Sequence, residues 1–198
     1  MGSEIPSLPS LLLFFFSHSS TAFGILLLII AIFLLLFFAL GWVWGAGYEP
    51  TNGFVRKQLI GLLEQRFQSG ERFVFYDLGS GFGGVLMDIA EKLPNAICTG
   101  IEADWLKYAI ARRRIRKLGY GARVMLVKGD LLRLYFSDAD VLYLFLSPLI
   151  LKRQEFRDRM RALKPGCLII SYSHRIPGLR PAAVVGKNLF VYSRLSSY

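Results

Sequence analysis

The stretch FVFYDLGSGFGG, Phe73 to Gly84, sets four glycines behind a short apolar run that ends in Asp77. An apolar strand that enters a glycine turn and then a helix N-terminus lets backbone N–H groups approach a nucleotide-like ligand without interference from side chains. Gly79, Gly81 and Gly84 also fit the dinucleotide fingerprint, so the glycines by themselves leave the cofactor open. Ser80 sits between the first two and is placed with them against the cofactor. Asp77 narrows the choice. Its carboxylate would repel the pyrophosphate of a dinucleotide and attract the ammonium and sulfonium of S-adenosylmethionine. Two unit charges about 4 Å apart interact by roughly 4 kcal/mol at an effective dielectric of about 20, enough to decide between them. The expected cofactor is S-adenosyl-L-methionine as methyl donor, against the alternative of a structural turn with a surface Asp.

Outward from this turn the chain alternates strands and helices. Strands are expected at 73–77, 96–102, 123–128, 141–146 and 167–172, helices at 83–93, 104–118 and 149–163, and one or two further strands within 182–194. That order calls for a parallel α/β sheet with right-handed crossovers. Upstream, Thr51 or Asn52 is expected to cap a helix formed by FVRKQLIGLLEQRF.

Several residues fall where such a sheet does chemistry. Glu102 ends the second strand, where a doubly wound fold places an acid on the ribose hydroxyls. Asp104 is the alternative holder, or the cap of the next helix. Asp130 follows the third strand in KGD, in position to accept from an adenine amino group, or to serve as a plain turn residue. Ser147-Pro148 follows the fourth strand, where the carbonyls of Leu146 and Ser147 can orient an acceptor amine for in-line displacement; the same Pro is also an ordinary helix start. His174 is a candidate general base or a polar loop residue. The cluster Arg112 to Lys117 reads as a solvated or lipid-facing surface, and with no aromatic platform beside it nucleic acid is not an expected partner. Cys98 and Cys167 lack metal-ligand or disulfide spacing, so buried thiols in a reducing compartment are expected, and no metal.

Composition divides the chain. Hydrophobic residues make up 54%, and mean hydropathy is +0.43, because of an apolar excess concentrated before residue 45. The uncharged run AFGILLLIIAIFLLLFFALGWVW, Ala22 to Trp44, would reach roughly 34 Å as a helix against a hydrocarbon core of about 30 Å. It reads as one transmembrane helix, with Trp42 and Trp44 at the headgroups. The run is too long for the rival reading, a signal peptide, and no basic segment precedes it. Leu11 to Phe16 is too short to cross alone. All 24 Lys and Arg lie beyond residue 55, and of the 14 acids only Glu4 precedes the span, leaving the part from residue 49 onward at +11. This bias orients the C-terminal domain to the cytoplasm, or to the matrix in a mitochondrion; its basic surface would suit anionic lipid headgroups, an acidic partner or nucleic acid, or is a solvated charged face without a partner. The expected parts are a non-cytoplasmic segment 1–21, a span 22–44, a linker and helix 45–72, and a cofactor-binding domain 73–198.

Together, YDLGSGFGG, GIEAD, KGD and LSP resemble the class I S-adenosylmethionine-dependent methyltransferases, which implies their Rossmann-like, mostly parallel sheet. More narrowly, YEPT at Tyr48 to Thr51, DLGSG at Asp77 to Gly81, LYLFLSP, and LKPG with the later IP resemble the membrane-anchored seven-β-strand protein-lysine methyltransferases. These include the ATP-synthase c-subunit lysine methyltransferase and archaeal protein-lysine methyltransferases. The resemblance implies that Tyr48 and Thr51 close over the methionine end of the cofactor and that Ser147-Pro148 lines a lysine channel. Two departures stand out: Phe82 and Gly84 replace an acid and a base of the family's DLGSGDGR, and Ala103-Asp104 replaces Asn-Pro.

The expected activity is lysine N-methylation of membrane or membrane-associated proteins, with Asp77 on the methionine ammonium, Glu102 on the ribose and Asp130 on the adenine. The alternatives are a lipid or small-molecule methyltransferase, and a membrane-tethered binding module that keeps the fold without the chemistry.

Overall fold

A computed structural model describes residues 21–36, 50–67 and 70–193. The chain divides into two compact units, Met1–Gly47 and Tyr48–Tyr198. In the first, helix α1 is described over residues 21–36.

The expectation of a membrane span over residues 22–44 is overturned. Among the described residues no helix is long and apolar enough to cross a membrane. The single-pass location, the cytoplasmic or matrix orientation and the bilayer as a partner were all derived from that span and fall with it. Leu11 to Phe16, Trp42 and Trp44 lie outside the described residues.

The second unit follows the alternation read from the sequence. Its elements are α2 (Gly53–Arg66), β1 (Phe73–Leu78), α3 (Gly84–Lys92), β2 (Ala96–Glu102), α4 (Trp105–Lys117), β3 (Val124–Lys128), β4 (Val141–Leu144), α5 (Pro148–Leu151), α6 (Gln154–Arg161), β5 (Leu168–Tyr172), β6 (Ala183–Val185) and β7 (Leu189–Ser193). The strands form one sheet of order β3-β2-β1-β4-β5-β7-β6, parallel except for β7, which runs antiparallel to both neighbours. This is the class I methyltransferase α/β architecture.

Two helix starts are set by side chains. Asn52 Oδ1 accepts from the N–H groups of Phe54 and Val55 at the head of α2, and Asp104 Oδ1 accepts from Leu106 and Lys107 at the head of α4. Each satisfies donors that a helix leaves without partners in its first turn. The helix expected over 149–163 is divided into α5 and α6, with Arg153 extended between them. Leu151 and Phe156 are both fully buried. Residues five apart lie about 140° apart around a continuous helix, so the break is what lets both face the sheet.

Side chains alternate across the sheet and build a core on each face. One face carries Phe75, Cys98, Tyr143, Ile170 and Leu189 beneath α2 and α3. The other carries Tyr76, Ile101, Leu142, Leu144 and Ile169 beneath α5 and α6. The order of strands reverses between β1 and β4, which opens a crevice at their carboxyl ends, where ligands bind in open α/β sheets.

Candidate active site

The glycine turn is held in shape by its neighbours. Gly79, Gly81 and Gly83 have φ of 77°, 54° and 75°, a left-handed conformation that L side chains rarely adopt. The N–H groups of Gly79 and Ser80 both donate to the carbonyl of Ile101, at 2.9 and 3.0 Å. Gly100 makes room behind the turn, since a Cβ there would lie 2.8 Å from Ser80 Oγ and 2.4 Å from Leu86.

Glu102 is the second anchor. Its Oε2 accepts from Gly81 N–H at 2.7 Å and its Oε1 from Asp104 N–H at 2.8 Å. A carboxylate has about four acceptor positions, so two remain for a ligand such as a ribose diol. The sequence pointed to a ribose holder; the structure adds that Glu102 pins the glycine loop and the head of α4.

Asp77 lies between these groups and the centre of the sheet. It pairs in register with Gly100 on β2 and Tyr143 on β4, so its side chain shares a face with Tyr143. Only 3% of it is exposed. Burial first, and then the charge of Glu102, push its pKa up to about 8. No protein group among the described residues gives this carboxylate a hydrogen bond, which leaves it for a cationic ligand.

Tyr143 was not singled out in the sequence. Its hydroxyl lies 2.8 Å from Thr51 Oγ1, joining residues 92 positions apart. Burial pushes the phenol far above its usual range, despite the opposing effect of that hydrogen bond. Arg56 was missed too. Its Nη1 pairs with Asp88 at 3.2 Å and lies 3.2 Å from where a Cβ on Gly84 would be. Strand alternation would have pointed to Tyr143 once the register was known, whereas no local signal announced Arg56.

The remaining expected residues are placed as follows. Ser147 caps the short α5 by position only. Its carbonyl accepts from Ile150 and Leu151 and so belongs to the helix start, whereas its Oγ is buried without a partner. Pro148 is exposed at the first position of α5. Ser80 Oγ is likewise buried and unpartnered. Asp130 is exposed; its Oδ1 accepts from Leu132 N–H at 2.9 Å, and its Oδ2 lies 3.6 Å from Arg133. Tyr48 lies outside the described residues. His174 is half-buried, and its carbonyl accepts from Ser171 Oγ at 2.6 Å. Asp77, Gly79, Ser80, Gly81, Glu102, Thr51 and Ser147 thus gather at the carboxyl ends of β1, β2 and β4. A cavity of about 250 Å³ lined by Leu63, Phe67, Phe73 and Pro94 opens at the opposite edge of the sheet and takes no part.

These groups suit S-adenosylmethionine. A buried carboxylate without a donor meets the ammonium, two acceptor positions on Glu102 meet the ribose, and the hydroxyls of Ser80 and Ser147 lack partners that a polar ligand can provide. Neither cysteine forms a disulfide and both are buried, and among the described residues no group of His, Cys, Asp and Glu can hold a metal.

Comparison with known proteins points the same way. Residues 77–183, more than half of the chain, match the ANTKMT methyltransferase domain. The chain is 28% identical over 113 residues to a protein-lysine N-methyltransferase of Saccharolobus islandicus, covering 57% of this chain and 69% of that protein. Among solved structures it is similar to an RNA methyltransferase from Salinibacter ruber in complex with S-adenosyl-L-homocysteine. There the TM-score is 0.66 and identity 25%, over 76% of this chain and 96% of that one. A methyltransferase from Geobacter sulfurreducens, also in complex with S-adenosyl-L-homocysteine, is similar with a TM-score of 0.52 and 26% identity, over 66% of this chain and 53% of that one.

Proposed function

The chain belongs to the ANTKMT methyltransferase domain family and is an S-adenosylmethionine-dependent methyltransferase, and from that premise we propose that its acceptor is the ε-amine of a lysine in a protein. The reading of the fold as a binding module without chemistry is set aside by the same matches. The acceptor rests on one observation, the similarity over 57% of the chain to a protein-lysine N-methyltransferase.

S-adenosylmethionine, when bound, supplies an electrophilic methyl group. Asp77 takes its ammonium, Glu102 its ribose hydroxyls and Asp130 its adenine. The hydrogen bond between Thr51 and Tyr143 closes the methionine end. Ser147 Oγ, buried and unpartnered, accepts an N–H of the incoming amine and aims its lone pair. The amine reacts neutral, having given its proton to water. Its lone pair forms the N–C bond as the C–S bond breaks toward sulfur, leaving a thioether and a methylammonium. Alignment of this kind can supply on the order of 7 kcal/mol of the barrier, so no side-chain base is required.

A second reading, RNA as acceptor, has its own support. The similar Salinibacter ruber protein is an RNA methyltransferase. On α4, Arg112, Arg113, Arg116 and Lys117 are exposed, and Trp105 at its head is 66% exposed. Exposed aromatic and Arg side chains together can stack and hold single-stranded nucleic acid.

Methyl-labelled S-adenosylmethionine given to the purified protein with fractionated cell extract tests both. Label on lysine, located by mass spectrometry, is the expected result. Label in RNA selects the second reading, and label confined to lipid or small molecules removes both.

A further inference from the structure

Beyond Asp77 and Tyr143, the same face of the sheet continues outward with two aromatic side chains. Tyr172 shares a face of β5 with Ile170, which pairs in register with Tyr143. Phe145 follows Tyr143 by two residues, just past the end of β4, and its ring packs on that of Tyr172 with centroids 4.5 Å apart and planes tilted by 53°. At about 3.3 Å per residue, this pair stands about 7 Å beyond Tyr143 toward the carboxyl edge, where open α/β sheets bind ligands. Both rings are only half-buried. Ser147, two residues further along, has its hydroxyl buried without a partner.

The backbone beneath Tyr172 is unusually constrained. Ser173, with φ of 70°, is the one non-glycine residue with positive φ among the described residues. Two hydrogen bonds hold it there: Ser173 N–H donates to the carbonyl of Asn188 at 2.8 Å, and Ser171 Oγ donates to the carbonyl of His174 at 2.6 Å. Left-handed backbone at a residue with a side chain is a strain that clusters at ligand sites. Here it fixes where the strand ends and therefore how the Tyr172 ring is presented.

We propose that Phe145 and Tyr172 form an aromatic wall that receives the alkylammonium end of the acceptor and keeps hold of it as methyl groups accumulate. The inference rests on the lysine reading and specifies what the mouth of that site selects. A cation within about 6 Å of an aromatic face is attracted by the ring, more strongly when desolvated, and methylation keeps the charge while adding apolar surface. A mono- or dimethylated side chain therefore binds at least as well as an unmodified one and remains for the next transfer. A nucleobase acceptor offers no such cation.

The test uses the complex with S-adenosylhomocysteine and two probes followed by NMR titration: Nα-acetyl-Nε-trimethyllysine methylamide, and its neutral isostere with a tert-butyl group in place of the trimethylammonium. The charged probe is expected to bind at least about fivefold more tightly than the isostere. Tyr172→Ala and Phe145→Ala should each lose about fivefold or more of its binding, Tyr172→Phe should retain it, and S-adenosylhomocysteine affinity should stay within about twofold in all three. With a protein substrate, the two alanine variants should shift products toward monomethyl-lysine. Equal binding of the two probes, or alanine variants that bind the charged probe like the wild type, overturns the aromatic wall while protein-lysine methylation stands. Label found only in RNA or lipid overturns the lysine reading, and this inference with it.

Discussion

The Arg56 guanidinium occupies the space beside Gly84: its Nη1 lies 3.2 Å from the position of a Cβ on that glycine, and the same nitrogen pairs with Asp88 at 3.2 Å. Where the resembled family has a base at position 84, this chain has a glycine and a cation arriving from α2. A larger residue at 84 and the native Arg56 therefore compete for one volume. Gly84→Leu should destabilise the wild type more than it destabilises Arg56→Ala, with a coupling of about 1 kcal/mol or more in a double-mutant cycle by urea unfolding. Additive effects would mean that Arg56 swings aside freely. Arg56→Ala alone should cost little, because the ion pair with Asp88 is about a third exposed on each side.

Asp77 sets stability against function. Its pKa is about 3.8 in an unfolded chain and about 8 in the folded one. Below the lower value both states are protonated and nothing is lost. As pH rises between the two, the unfolded chain gives up this proton while the folded one keeps it, so this group destabilises the fold progressively until about pH 8. Asp77→Asn should therefore raise the melting temperature of the ligand-free protein, by more at pH 8 than at pH 4. It should also weaken S-adenosylmethionine and S-adenosylhomocysteine alike while leaving adenosine binding unchanged. A variant that melts lower than the wild type at pH 8 would contradict the assignment.

Glu102 should fail in two ways at once. Losing its side chain frees the N–H groups of Gly81 and Asp104, so Glu102→Ala should cost about 3–6 kcal/mol of stability at roughly 1.5–3 for each charge-assisted bond. It should also weaken adenosine, which Asp77→Asn spares. Equilibrium unfolding together with adenosine titration separates the two effects.

The contact between Thr51 and Tyr143 is testable by repair. Thr51→Val leaves the buried phenol hydroxyl without its 2.8 Å partner, at a cost of about 1–3 kcal/mol. Adding Tyr143→Phe removes the orphaned group and should restore part of that loss. A double variant no more stable than Thr51→Val would mean the hydroxyl finds another partner.

The sheet was legible because each strand is a short apolar run closed by turn residues. β2 keeps the bounds expected for it, and Asp104 caps α4 as one of its two readings foresaw. Asn52 is the residue that caps α2. What failed has physical reasons. Hydropathy over 22–44 measures how well a segment suits lipid, and among the described residues no helix is long and apolar enough to cross a membrane. The helix over 149–163 looked continuous because helical periodicity tolerates one misplaced apolar residue, and the burial of both Leu151 and Phe156 does not. At the site, Asp77 and Glu102 showed in local sequence since each ends a strand. Tyr143 and Arg56 depend on register and on packing between distant segments, which local sequence does not encode.

The raised pKa of Asp77 also changes the proton count of the binding reaction. At pH 7 a carboxyl with a pKa of about 8 holds its proton about nine times in ten, and an ammonium must meet the carboxylate, so that proton leaves as the ligand enters. The heat of S-adenosylhomocysteine binding should then vary with the ionisation enthalpy of the buffer, with a slope near one proton released at pH 7. Asp77→Asn should flatten that slope.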